Sequence, residues 1–337
     1  MRRLSGPALV SPTPGDSRER PTVRKPQFSL RKLSLVVGLA LAAYGLVLAL
    51  WRESLAPDLL RGLLSWTSLQ AAMLCVLSYL LRGLRWRRWM AACGRQLGLS
   101  DGLRLYVAGY ALTPTPGNVG EAARGLWLAE RPLDTGQALA VFGAERLADL
   151  LALLLMATPV LVWGLQHGGT LIGLRSPGGA VIALGLAFLL VAGVLCGWLL
   201  RQYARSHVDK FLAWSRDAWT FLADRPLGWM GLTLGAWFAQ GLGVWLLCQQ
   251  AGVPTSFLMA AGGYALAMVA GALSALPAGL GGTEAVLAGL LVGQGAAPGA
   301  AIAVTVLARL LTLWLAVGLG VAALLYSAAI RKDIRLF

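Results

Sequence analysis

Apolar residues in this chain come in long uninterrupted runs, unlike the alternating or one-face patterns of a soluble fold. Runs long enough to cross a hydrocarbon core of about 30 Å occupy residues 33–51, 64–81, 138–164, 178–200, 229–249 and 299–328, and each predicts a membrane-spanning helix. Two further apolar stretches, 103–128 and 257–294, are broken at their centres by Pro and Gly, in PTPGNVGEAARG from Pro114 and PAGLGGTEAVLA from Pro277. Their shorter halves reach about 16 Å at 1.5 Å per residue, roughly half a bilayer. They read as re-entrant helical hairpins, which membranes tolerate only when the broken backbone is buried in protein or lines a cavity. The expected fold is therefore all-α: a polytopic integral membrane protein with six full spans plus two re-entrant helical hairpins.

Composition agrees: 57% of the 337 residues are hydrophobic and 13% charged, with a mean hydropathy of +0.68. The first apolar run follows a basic, Pro-rich tail of some thirty residues and lacks a small-residue cleavage site, so no cleaved signal is expected. The net charge of +14 is distributed in short segments beside the spans, which suits membrane topology and not nucleic-acid binding. Eight Lys or Arg lie in residues 1–32, six Arg in 82–104 and five basic residues in 201–228, whereas the connections 52–63, 165–177 and 250–256 hold only Arg52, Arg61 and Arg175 between them. By the positive-inside rule the first group is cytoplasmic, as are both termini, in a bacterial inner membrane. The expected organisation is a disordered tail at 1–32, a transmembrane domain at 33–328 and a cytoplasmic terminus at 329–337.

Shifting the sequence by 163 residues places Pro114 on Pro277, Glu121 on Glu284 and Arg146 on Arg309, with Gly136 on Gly299 and Val141 on Val304 among the further matches. Three residue types uncommon in membranes thus preserve two intervals, which predicts two repeats, about 64–164 and 229–328. In the topology above the repeats run in opposite directions, the plan of alternating-access transporters whose broken helices mark the binding site. The polar additions are one-sided: Arg124, Glu145 and Asp149 of the first repeat stand opposite Leu287, Ala308 and Thr312 of the second.

Charges at membrane depth need partners or water. Glu121, Arg124, Glu145, Arg146, Asp149, Glu284 and Arg309 all fall there. Gly117 supplies a permissive turn after Pro114 and Pro116, and Gly120 shortly follows it. Asn118 with Glu121 resembles a capping box opening the second arm, and Gly281, Thr283 and Glu284 play a similar part after Pro277. Arg146 lies about 13 Å into its span, level with the hairpin tip. Pairs of Glu121 with Arg146 and of Glu284 with Arg309 follow, either as structural ties or as arginines exchanged between glutamate and a substrate phosphate. Asn118, Glu121, Arg124, Arg146, Glu284 and Arg309 are the candidate substrate ligands, with Arg124 and Arg146 in a cytoplasmic cavity and Arg309 in an outer one.

Arg82, Arg85 and Arg88, spaced by three with Trp86 and Trp89 among them, read as an interfacial segment on anionic lipid, as does Phe211–Leu222. The cysteines Cys75, Cys93, Cys196 and Cys248 read as core filler, and no metal or other cofactor is expected. His167 and His207 are grouped with no ligand type. No phosphate loop of the P-loop type occurs, and the polar set lacks a nucleophile with a base, so no enzyme is expected.

The GEAARG stretch (Gly120–Gly125), the ERLADL stretch (Glu145–Leu150) and the later PAGLGGTE (Pro277–Glu284), followed by an arginine in the last long span, resemble the lysylphosphatidylglycerol synthase transmembrane family, also called the flippase-like domain family. The likeness covers about residues 33–328. It implies movement of a phosphate-bearing or modified lipid between leaflets, in a stand-alone member without the aminoacyl-transferase domain of fused relatives. Two other readings stay open: a non-transporting membrane partner of a lipid- or glycolipid-modifying enzyme, and a transporter of a small soluble anion.

Overall fold

In the computed structural model, residues 62–127, 132–166, 216, 218–274 and 276–330 are described. The helices begin where local chemistry satisfies their first free N–H groups. The Ser65 hydroxyl accepts from the Ser68 N–H at 3.1 Å and opens α1, Trp66–Ala92. After α2, Leu99–Ala108, the chain tightens into a 3-10 turn, Gly109–Leu112, and continues past Thr113–Thr115 as a 3-10 segment, Pro116–Trp127. Asp134 Oδ1 accepts from the Gln137 N–H at 2.7 Å at the start of α3, Thr135–Gln166.

Proline occupies the first turn of α4, Pro226–Gln250, where its missing N–H costs nothing. The Ser256 hydroxyl caps α5, Phe257–Leu273, which breaks before a 3-10 turn at Pro277–Gly279. There follow α6, Gly282–Gly293, α7, Pro298–Arg309, a π turn at Leu310–Trp314 and α8, Leu315–Ile330.

Among the described residues every element is helical. Four helical runs are long and apolar enough to cross a membrane: Trp66–Ala92, Thr135–Gly164, Pro226–Gln250 and Pro298–Ser327. They overlap the runs expected at 64–81, 138–164, 229–249 and 299–328, the first extending well beyond its expected end. The runs expected at 33–51 and 178–200, the tail 1–32, residues 331–337, Cys196, His167, His207 and most of the 211–222 segment lie outside the described residues.

The helices pack in two main layers of contact, α1 along α4 and α3 along α5. On α3, Ala144, Ala148 and Ala152 form an inward stripe at helical spacing, while Leu147, Leu150, Leu151, Leu154 and Leu155 are exposed on its other side. Small residues let the backbones approach, which is how apolar helices associate without a solvent-driven hydrophobic effect. A Cβ on Gly262 of α5 would stand 2.9 Å from the Met156 carbonyl of α3. The exposed leucines are the face such a helix offers to lipid.

One expectation fails here. α1 does not end near residue 81 but continues through Ala92, carrying Arg82 and Arg85 into the bundle and not onto a lipid surface. Arg82 is 8% exposed, Arg85 0%, and Trp86 and Trp89 are buried with them; only Arg88 of that trio is exposed. The physical reason is partnership: both guanidiniums meet polar groups on neighbouring helices.

Candidate functional site

The first break is built differently from the expected hairpin. Beyond Pro114 the second arm is a 3-10 segment and not an α-helix, a tighter winding that is uncommon over twelve residues and marks hinges or strained sequences. Asn118 lies inside it at φ 56°, a left-handed conformation that Asn adopts more readily than most residues, so it opens no helix and forms no capping box. Glu121 is turned away from the backbone: its Oε1 accepts from the Thr113 hydroxyl at 2.8 Å, and its Oε2 is held by Arg124 and, at 3.5 Å, by Arg146. Gly117 and Gly120 lie in the same segment.

Around Glu121 the structure gathers charges from three elements, α1, the 3-10 segment and α3. Arg124 also bonds both oxygens of Glu145, at 3.2 and 3.3 Å, and stacks over the Tyr106 ring at 4.2 Å. It is completely enclosed. Such closeness requires Gly109, where a Cβ would overlap the Arg124 side chain. Arg85 of α1 pairs with Asp149 at 2.8 Å, reaches Glu145 at 3.9 Å and donates to the Thr233 hydroxyl of α4 at 2.8 Å. Asp149 is further bound by the Trp237 Nε1–H at 3.3 Å and by Arg146 at 3.5 Å.

Arg146 differs from its neighbours. Both its carboxylate contacts are long, at 3.5 Å, and its side chain is 34% exposed, against 0% for Arg85 and Arg124. The cavity beside Glu121 and Glu145, walled by Trp86, Met90 and Phe142, measures about 10 Å³, room for roughly one water.

The second break follows the expected pattern more closely. Glu284 Oε2 accepts from the Gly281 N–H at 2.7 Å, closing the start of α6, while Oε1 binds Arg309 Nε at 2.7 Å. Arg309 Nη2 donates to the carbonyl of Ala278, which is held at φ 53° between Pro277 and Gly279. Thr283 is 1% exposed and its hydroxyl has no partner; it presses on Gly271 of α5. Just past Arg309 the π turn frees carbonyls, and the Tyr79 hydroxyl of α1 lies 3.1 and 2.9 Å from those of Leu311 and Thr312. The two breaks touch: the Pro116–Trp127 segment packs against Pro277–Gly279.

The structure thus brings Glu121, Arg124, Glu145, Arg146 and Asp149 into one cluster, and Glu284 with Arg309 into a second. Arg82, Arg85, Gln240 and Tyr264 were missed as members of the polar interior. A signal for the arginines existed in the sequence. Ala71, Cys75, Ser78, Arg82, Arg85 and Trp89 are all buried and recur at spacings of four, three, four, three and four, the seam of a packed helix, whereas Arg88 falls off it.

The profile of the family described as the lysylphosphatidylglycerol synthase TM region matches residues 35–320. No curated protein matches the chain. The profile describes a transmembrane region and not a catalytic domain, in keeping with four apolar helical runs long enough to cross a membrane. Because the match covers most of its length, this membrane protein belongs to the lysylphosphatidylglycerol synthase TM region family.

Proposed function

We propose that the protein is a lipid translocase of a bacterial inner membrane, built from six spans and two re-entrant segments in two inverted repeats, with both termini cytoplasmic. The observation that carries this reading is the pair of helix breaks packed against each other inside the bundle, each tied by a glutamate to an arginine 25 residues further on. Broken helices meeting within the membrane are where transporters of this plan hold their cargo.

In this reading Arg146 takes the headgroup phosphate, leaving Glu121 and Asp149, because its two contacts are long and its side chain is the accessible one. Arg124, enclosed between Glu121 and Glu145, positions the first break and does not touch lipid in this conformation. Arg309 serves the opposite leaflet when the Glu284 contact opens. The cavity beside Glu121 and Glu145, about 10 Å³, admits no headgroup, so in this reading transport requires the breaks to separate.

The test is lipid movement in proteoliposomes containing fluorescent phosphatidylglycerol. The wild-type protein is expected to move it between leaflets, and Arg146→Ala and Glu121→Gln to slow it by about tenfold or more, the loss of one charge-assisted contact. Full-rate movement by correctly inserted variants removes the site assignment. A wild-type protein that moves no lipid, yet copurifies with a glycosyl- or aminoacyl-transferase, supports the non-transporting partner instead.

A further inference from the structure

The first cluster does not balance. Among the described residues three guanidiniums, Arg85, Arg124 and Arg146, share it with three carboxylates, Glu121, Glu145 and Asp149, and Arg82, joined to it through Trp237, adds one positive charge (four minus three). The geometry locates that surplus. Arg85, Arg124 and Arg146 each have a carboxylate at 3.5 Å or closer. Among the described residues Arg82 has none within 4.0 Å: its Nη2 donates to the neutral Gln240 Oε1 at 3.2 Å, and its Nε, like those of Arg85, Arg124 and Arg146, has no hydrogen-bond partner. One face of the guanidinium lies 3.9 Å from the centre of the Trp237 ring, an attraction that offsets only part of the cost of burying a charge.

The surroundings fix this arrangement. Gln240 Oε1 also accepts from the Tyr264 hydroxyl at 3.0 Å, which holds the amide oxygen toward Arg82. Trp237 donates to Asp149 and so ties the same patch to the first cluster, while Tyr264 sits on α5, the helix that leads into the second break. Arg82 is therefore an incompletely compensated cation, 8% exposed, between the two clusters.

We propose that Arg82 is an interior anion station, which receives the phosphate of a net-anionic headgroup as it passes between the Arg146 and Arg309 ends. Its place along a lipid path rests on the translocase reading; its capacity to bind an anion does not. The shared chemistry is a net negative charge carried on phosphate with no neighbouring cation, supplied either by an anionic lipid headgroup or by free phosphate and absent from zwitterionic phosphatidylcholine.

Gln240→Glu is the decisive variant, because it supplies a carboxylate from the next side chain and cancels the surplus without removing the arginine. The full chain in a neutral detergent is heated with phosphatidylglycerol, phosphatidylcholine or inorganic phosphate, and the unfolding midpoint is followed against concentration. Phosphatidylglycerol is expected to raise the wild-type midpoint and net-neutral phosphatidylcholine is not. Gln240→Glu should start at an equal or higher midpoint yet need roughly tenfold more phosphatidylglycerol for the same shift. Arg82→Gln should lose the response as well.

If inorganic phosphate alone gives the shift, and Gln240→Glu weakens it, Arg82 stands as an anion site while the translocase reading falls. An undiminished response in Gln240→Glu, or no wild-type response to either anion, overturns the station. Slowed transport in Arg146→Ala beside an unaltered Gln240→Glu response overturns it too and leaves the translocase reading in place.

Discussion

At the scale of single residues, buried charge is organised by mutual dependence. Arg124 and Glu145 form an enclosed ion pair, and the residues 163 positions further along the sequence, Leu287 and Ala308, are apolar and wholly buried. Removing one member of a buried pair strands the other and costs about 3–5 kcal/mol, whereas replacing both with apolar groups of fitting shape is often neutral. Arg124→Leu is expected to lower the thermal midpoint sharply, and Arg124→Leu with Glu145→Ala to recover most of the loss. The residual deficit reports the other ties of Glu145, to Arg85 at 3.9 Å, and of Glu121. A double variant no more stable than the single one contradicts the pairwise account.

At the scale of elements, the two breaks differ in what replaces the interrupted helix. Both positions of the breaks were legible, because proline and clustered glycine cannot continue a helix. The winding that follows was legible only for the second. There Glu284 reaches back to the Gly281 N–H and starts α6, as its spacing of three predicts. In the first break the same spacing, Asn118 to Glu121, yields no cap, since Arg124 and Arg146 outbid the backbone for the carboxylate. Charge in a low-dielectric interior outweighs a local propensity of about 1 kcal/mol.

The second break also depends on close approach. A Cβ on Gly271 would overlap the Thr283 hydroxyl, so α5 and α6 meet only because that position is bare. Gly271→Ala is expected to destabilise the fold by about 1–3 kcal/mol, the usual cost of overpacking. Adding Thr283→Ala removes the obstructing oxygen, one with no hydrogen-bond partner, and should restore part of the loss in a thermal melt. An unchanged deficit in the double variant places the strain on the Gly279 carbonyl instead, 3.2 Å from the same Cβ.

At the scale of the whole molecule, the distribution of basic residues and the lengths of the apolar runs lead to the proposed orientation. Gln96, in the arginine-rich connection after α1, belongs inside; Thr255, in the connection before α5, belongs outside. In a cysteine-free background, Thr255→Cys is expected to react with a membrane-impermeant maleimide in spheroplasts, and Gln96→Cys only after permeabilisation. The reverse pattern inverts the topology, and labelling of both from outside removes the odd number of crossings between them.

The sequence by itself determined the elements and the family: apolar run length sets a span, proline with glycine sets a break, and motif order carries the resemblance that the match over residues 35–320 bears out. These are properties of neighbours in the chain, governed by bilayer thickness and backbone geometry. Only the tertiary structure decided which charges meet. Arg82 and Arg85 read as a lipid-surface motif in the sequence, but α1 runs eleven residues further beside α4, where Asp149, Thr233 and Gln240 wait on other helices. A buried charge is placed by its partners, and those lie 64 to 158 residues away, where no local pattern reaches.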